Sequence, residues 1–114
     1  MNAQRRKTLA DIATRAEALL AVALLSFDEL VKVQPMLETM VGEVEAVQED
    51  EEEAFDNMPE GLQNNKQDAY DAFVENAEAA IDALNKLVAL EVCDYDEVEE
   101  EFENLTNALN DAQD

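Results

Sequence analysis

The chain has 114 residues, and 7 Lys+Arg against 29 Asp+Glu leave a formal net charge of −22, with no His and no Trp. This length supports one domain, 1–114; so negative a surface repels a polyanion, which excludes phosphate-mediated nucleic-acid binding, and imidazole catalysis has no residue to use. At 47% hydrophobic residues the chain is too apolar for a disordered acidic tail and is expected to fold.

The N-terminus carries Arg5, Arg6 and Lys7, and Ala18 to Leu25 is apolar. Glu17 interrupts that stretch and no clean small-residue cleavage site follows, which argues against a signal peptide. No window supplies the roughly 20 apolar residues of a membrane span. Cys93 is the single cysteine, so no internal disulfide forms. The expectation is a cytoplasmic protein with no membrane contact.

Leu9, Ile12, Ala16, Leu19, Ala23, Ser26, Leu30, Val33, Leu37, Met40, Val44 and Val47 follow one another in steps of three and four, and all but Ser26 are apolar. That is a heptad seam. Leu20, Leu24, Phe27, Val31 and Val41 widen it beyond what a two-stranded seam buries. Ser26-Phe27-Asp28-Glu29 fits a capping box, and Pro35 lacks the N–H that would bond to Val31. Because the seam keeps its phase through both, the reading is one long helix, about 4–54, bent near Ser26 and Pro35. Met58-Pro59-Glu60-Gly61, flanked by Asp56, Asn57, Gln63, Asn64 and Asn65, marks a connection at about 56–64.

Beyond it, Tyr70, Val74, Ala77, Ile81, Leu84, Val88, Glu91, Tyr95, Val98, Phe102, Leu105, Leu109 and Ala112 repeat the spacing, with Glu91 the one charged member. Asp94-Tyr95-Asp96-Glu97 fits a second capping box. The reading is a second long helix, about 65–111, bent near Asp94; four shorter helices are the alternative. The fold class is all-α. Two long helices form an antiparallel hairpin, whose wide stripe is covered by pairing two copies into a four-helix bundle, a homodimer.

Dedicated chemistry finds little support. A di-iron carboxylate bundle wants Glu-x-x-His pairs, and the chain has no His. Asp94 and Asp96 sit like the first ligands of a calcium loop, but Glu99 stands where that loop needs Gly. No phosphate-cradling Gly loop, nucleophile elbow or Cys/His pair exists. Glu91 reads as a register-fixing or snorkelling residue at a helix break, and Cys93 as a small buried or half-buried one. The expectation is no enzyme, no metal and no cofactor.

The acids themselves are clustered. Glu49, Asp50, Glu51, Glu52 and Glu53 run together, extended by Asp56 and Glu60; Asp94, Asp96, Glu97, Glu99, Glu100, Glu101 and Glu103 form a second block. In a hairpin turning near 60 the two blocks lie at opposite ends, the second near Arg5, Arg6, Lys7 and Arg15, which would pair some of its charge. A helix of 50 residues is about 75 Å long, giving one net charge per about 3.4 Å, or about 1.7 Å in a dimer, the spacing of duplex DNA. The charge also exceeds the magnitude of about 2–8 that solubility needs in a small domain.

Glu51-Glu52-Glu53-Ala54-Phe55-Asp56-Asn57-Met58-Pro59-Glu60-Gly61-Leu62-Gln63, followed by the Ala-rich Asn76 to Leu84 stretch, resembles a group of small acidic helical proteins encoded by bacteriophages and prophages. In that group E-E-E-A-F-D-N-x-P-E-x-L-Q joins two helices. The resemblance implies a phage context and a helix-turn-helix corner at Phe55, Asn57, Met58, Pro59 and Leu62. Phe55, Met58 and Leu62 are expected to fold back as an apolar plug, with Asp56 or Asn57 capping. Two functions follow as expectations. One is an anionic, DNA-mimic-like inhibitor of a basic host protein, a nucleic-acid-binding or defence component. The other is a structural or adaptor coiled coil acting through its seam.

Overall fold

The computed structural model describes residues 3–91 and 94–113, the side chain of Tyr95 excepted; Cys93 lies outside the described residues. Four helices follow in order, α1 (Ala3–Ala23), α2 (Phe27–Asp56), α3 (Glu60–Ala89) and α4 (Tyr95–Asp111), and no strand occurs among the described residues. The all-α expectation holds.

Each long helix of the sequence reading is cut once, at its capping box. Ser26 is extended (φ −170°, ψ 166°) and its hydroxyl accepts the Glu29 N–H at 3.2 Å. Only that half of the box forms, because the Glu29 carboxylate takes Lys32 at 3.0 Å instead of reaching back. Asp94 does the same for α4, one carboxylate oxygen accepting the N–H groups of Asp96 and Glu97 at 3.1 and 3.3 Å. Continuity of the three-four spacing was therefore not continuity of the helix. A short connection can leave two separate helices numerically in step although their axes have reversed.

Pro35, expected as a bend, sits inside α2 without ending it. It is exposed, as is Val31, so the Val31 carbonyl that loses its partner remains within reach of water. The connection expected at 56–64 shrinks to the three residues between Asp56 and Glu60. The N–H groups of Leu62 and Gln63 already bond to the Pro59 carbonyl at 2.9 and 3.0 Å, which draws Gln63, Asn64 and Asn65 into α3.

α1 packs on α2 and α4, and α3 packs on the same two helices. Neighbours run antiparallel: Arg5 meets Glu51 while Arg15 meets Glu43 across α1 and α2, and Gln34 meets Leu87 while Phe55 meets Tyr70 across α2 and α3. The whole measures 52 × 20 × 18 Å. Leu9, Ile12, Leu30, Leu37, Val44, Leu84, Val98, Phe102 and Leu105 are fully buried between the helices. Most of the seam is thus buried within one chain, while Phe27 and Val31, which widened the stripe, stay exposed and Leu20, Leu24 and Val41 are half-buried.

On α3 the buried arc is turned slightly from the expected seam. Phe73, Ala77, Ala80, Ala83, Leu84 and Leu87 are buried, while Tyr70, Val74, Ile81 and Val88 are half-buried. A helix with two neighbours buries the arc between its two stripes, and the alanines let both neighbours approach. Glu91 follows α3 and is exposed, so it leaves the core seam on which its spacing placed it.

Candidate partner-binding surface

The first acidic block occupies the last two turns of α2. Glu49, Asp50, Glu52, Glu53 and Asp56 are exposed there, and Glu60 is exposed at the start of α3. The C-terminus of a helix is its negative pole, where anions are unfavourable and cations are preferred; the last turn of α2 holds no basic residue. Glu51 departs from its neighbours. It is 7% exposed and pairs with Arg5 of α1, Nε to Oε2, at 2.5 Å. It belongs to the helix-helix contact more than to the outer surface.

The second block begins α4, and its place has a structural reason. Asp94 caps the helix, while Asp96 and Glu97 lie in its first turn, the positive pole that anions stabilise. Asp96, Glu97, Glu99, Glu100 and Glu103 are exposed, but Glu101 is 9% exposed. The basic N-terminus expected beside this block is elsewhere. Because α1 folds back on α2, Arg5 meets Glu51 of the first block and Arg15 makes a two-pronged pair with Glu43. Among the described residues no acid from Asp96 to Glu103 has an ion pair. The Arg15 hydrogen bond holds the Glu43 carboxyl below its ordinary range against its partial burial, and in return raises Arg15.

The corner between α2 and α3 is a packed joint. The Phe55 and Tyr70 rings stack with centroids 4.3 Å apart and planes 3° from parallel. Met58 is half-buried beside them, but Leu62 is 49% exposed and takes no part in the expected plug. Burial raises the Tyr70 phenol above its ordinary range, and the carboxylates of Glu52, Asp56, Glu51 and Asp71 raise it further. Asn57 is the C-cap of α2, its backbone N–H bonding to the Glu53 carbonyl, while α3 has Pro59 as its N-cap with no side-chain bond. A side-chain cap on the end of α2 comes from Gln63, whose amide donates to the carbonyls of Phe55 and Asp56 at 2.9 and 3.2 Å. Gln34 performs the same task at the other end, donating to the carbonyls of Leu87 and Leu90 at 3.2 and 3.0 Å. Sequence reasoning missed both glutamines, since long-range capping leaves no local spacing to find.

An apolar groove of about 320 Å³ lies between α1 and α2, lined by Arg15, Ala18, Leu19, Met36, Thr39 and Met40, and Leu25, Phe27 and Val31 are exposed outside it. No cluster of three or more His, Cys, Asp or Glu able to hold a metal ion occurs among the described residues. Nor, among them, is any helix long and apolar enough to cross a membrane. No protein-family model, curated protein or solved structure matches the chain.

Proposed function

We propose that this is a phage-type acidic protein that binds and inhibits a basic, nucleic-acid-binding host protein through its anionic surface, in the manner of a DNA mimic. The observation that carries the reading is the first acidic block: five exposed carboxylates, Glu49, Asp50, Glu52, Glu53 and Asp56, crowded at the negative pole of α2. Local stability disfavours them there, so their retention points to an outside partner. The second block supports the reading less strongly, because capping and the helix dipole account for part of it.

Folding back shortens the rod from the about 75 Å of a single long helix to 52 Å. The net charge of −22 along 52 Å is one per about 2.4 Å for a single copy, against about 1.7 Å for duplex DNA. Close approach to the duplex value therefore needs no dimer, although side-by-side pairing would double the density. The cytoplasm, where such a target resides, is part of the same proposal.

The test is capture from a bacterial lysate at low and high salt, with duplex DNA as competitor. The proposal expects capture of basic proteins that is lost at high salt, competed by DNA, and abolished by charge reversal at Glu49, Asp50, Glu52 and Glu53. The adaptor reading has lost its seam to the chain's own core and retains the α1–α2 groove. Capture that survives high salt and fails with Met36→Asp would replace the first reading with that one.

A further inference from the structure

Between α3 and α4 the surface opens into a groove of about 370 Å³, near the lower end of the roughly 300–1,000 Å³ of small-ligand sites. Ala79, Ala83 and Ala108 line it with methyl groups, and Asp82, Glu101 and Asn104 line it with polar atoms. Glu101 is the unusual member. It is only 9% exposed, yet among the described residues its carboxylate has no ion pair and no hydrogen-bond partner. No side-chain oxygen among the described residues is both sealed from solvent and unpaired, so this carboxylate meets solvent through the groove. The side chain is therefore packed along its length while its carboxylate opens into the groove, unlike that of Glu97 one turn earlier, which is exposed throughout.

We infer that this groove receives an arginine side chain of the bound partner, its guanidinium on the Glu101 carboxylate and its methylene stem along the alanine floor. The inference rests on the anionic-binding reading above and names where that binding is anchored. A divalent cation fits poorly, since it demands six or more oxygen ligands and no acidic cluster of the required size is present among the described residues. A guanidinium fits better than an ammonium. Its planar fork of donors can engage the carboxylate together with amide oxygens from Asn76, Asn104 or Asn107, which also line the groove, and it is less strongly hydrated. Among the described residues Lys86 is the one cation lining the groove, and it makes no ion pair with Glu101; it opposes the incoming charge.

The test titrates the ¹⁵N-labelled protein with N-acetyl-arginine methylamide, following the side-chain amides of Asn76, Asn104 and Asn107, and separately with an oligo-arginine peptide. Shifts from the small probe should concentrate on those amides. Glu101→Gln should weaken it about ten-fold and Glu99→Gln, which removes the same charge from an exposed site on α4, less than about two-fold. Lys86→Gln should tighten it. Thermal unfolding of Glu101→Gln checks that the fold persists, and the wild-type shift map depends on no variant. Shifts spread evenly over the acidic residues, equal losses in the two glutamine variants, or equal binding of the lysine analogue would overturn the anchor. If oligo-arginine still binds in that case, the anionic-surface reading stands without it. Failure of the peptide to bind at all overturns that reading and the anchor together.

Discussion

Pro35 offers the sharpest test of how α2 is held. It lies in the ninth position of a helix of 30 residues, exposed, and cannot return a bond to the exposed Val31. In a helix interior Pro is about 3 kcal/mol less favourable than Ala. Pro35 is exposed and outside the buried core, so Pro35→Ala should recover most of that, about 2–3 kcal/mol. With an unfolding entropy of about 2.1 cal/mol/K per residue, 1 kcal/mol corresponds to about 4 °C for a chain of this length, and the expected rise in Tm is about 8–12 °C. Thermal unfolding by circular dichroism at fixed salt reads it directly, with urea unfolding as the check that the slope m is unchanged. An unchanged or lower Tm would refute the reasoning. It would mean that the core of α2, buried against both α1 and α3, requires the local geometry that proline imposes.

Gln34→Ala should cost about 1–3 kcal/mol by leaving two part-buried carbonyls unpaired, and should speed hydrogen exchange at the end of α3; a urea midpoint within the range of an ordinary surface substitution would reject the cap. The Glu43 carboxyl is depressed by Arg15, so its contribution is full above the unfolded value of about 4.3 and is lost as pH falls through the lower folded value. Because the pair is exposed, Glu43→Gln should lower stability by only about 0.2–1 kcal/mol at neutral pH, and the difference from wild type should close in acid. In a Tyr95→Phe background, ultraviolet titration should show Tyr70 ionising above the usual value of about 10; a midpoint at or below it would contradict the stacked, acid-flanked placement.

The parts of this fold that were legible in the sequence share a local cause. Seam positions such as Leu9, Ile12, Leu37, Val44, Leu105 and Leu109 are buried because one residue's burial is decided by spacing along its own helix. Ser26 and Asp94 were also visible, as caps. What spacing could not decide was whether a cap bends a helix or ends it, since that depends on whether the two segments gain more by packing against each other. Once α1 folds back, the partner of Arg5 becomes Glu51, and two acids counted as surface turn inward. Glu51 and Glu101 look like their neighbours in sequence, and only the third dimension separates them.

The same fold-back determines how the acidic surface can act. Gln34 lies level with the end of α3, close to where α4 and the second block begin. From there to Glu49, 15 residues of α2 span about 22 Å at 1.5 Å per residue, while α4 carries the second block about 13 Å the same way by Glu103, so the near ends of the two blocks stand about 9 Å apart along the rod. The Debye length at physiological ionic strength is about 8 Å, so the near ends of the two blocks are only partly screened from one another while their far ends are screened almost wholly. A small basic ligand therefore engages one block, or at most the near ends of both. Only a partner with a long cationic surface engages both along their whole length, and its second contact is then made at the effective concentration that the first imposes. A DNA-binding channel has that length and a short basic tail does not. A selective partner is thus distinguished by binding that falls steeply when either block is neutralised alone, whereas nonspecific attraction falls in proportion to the charge removed.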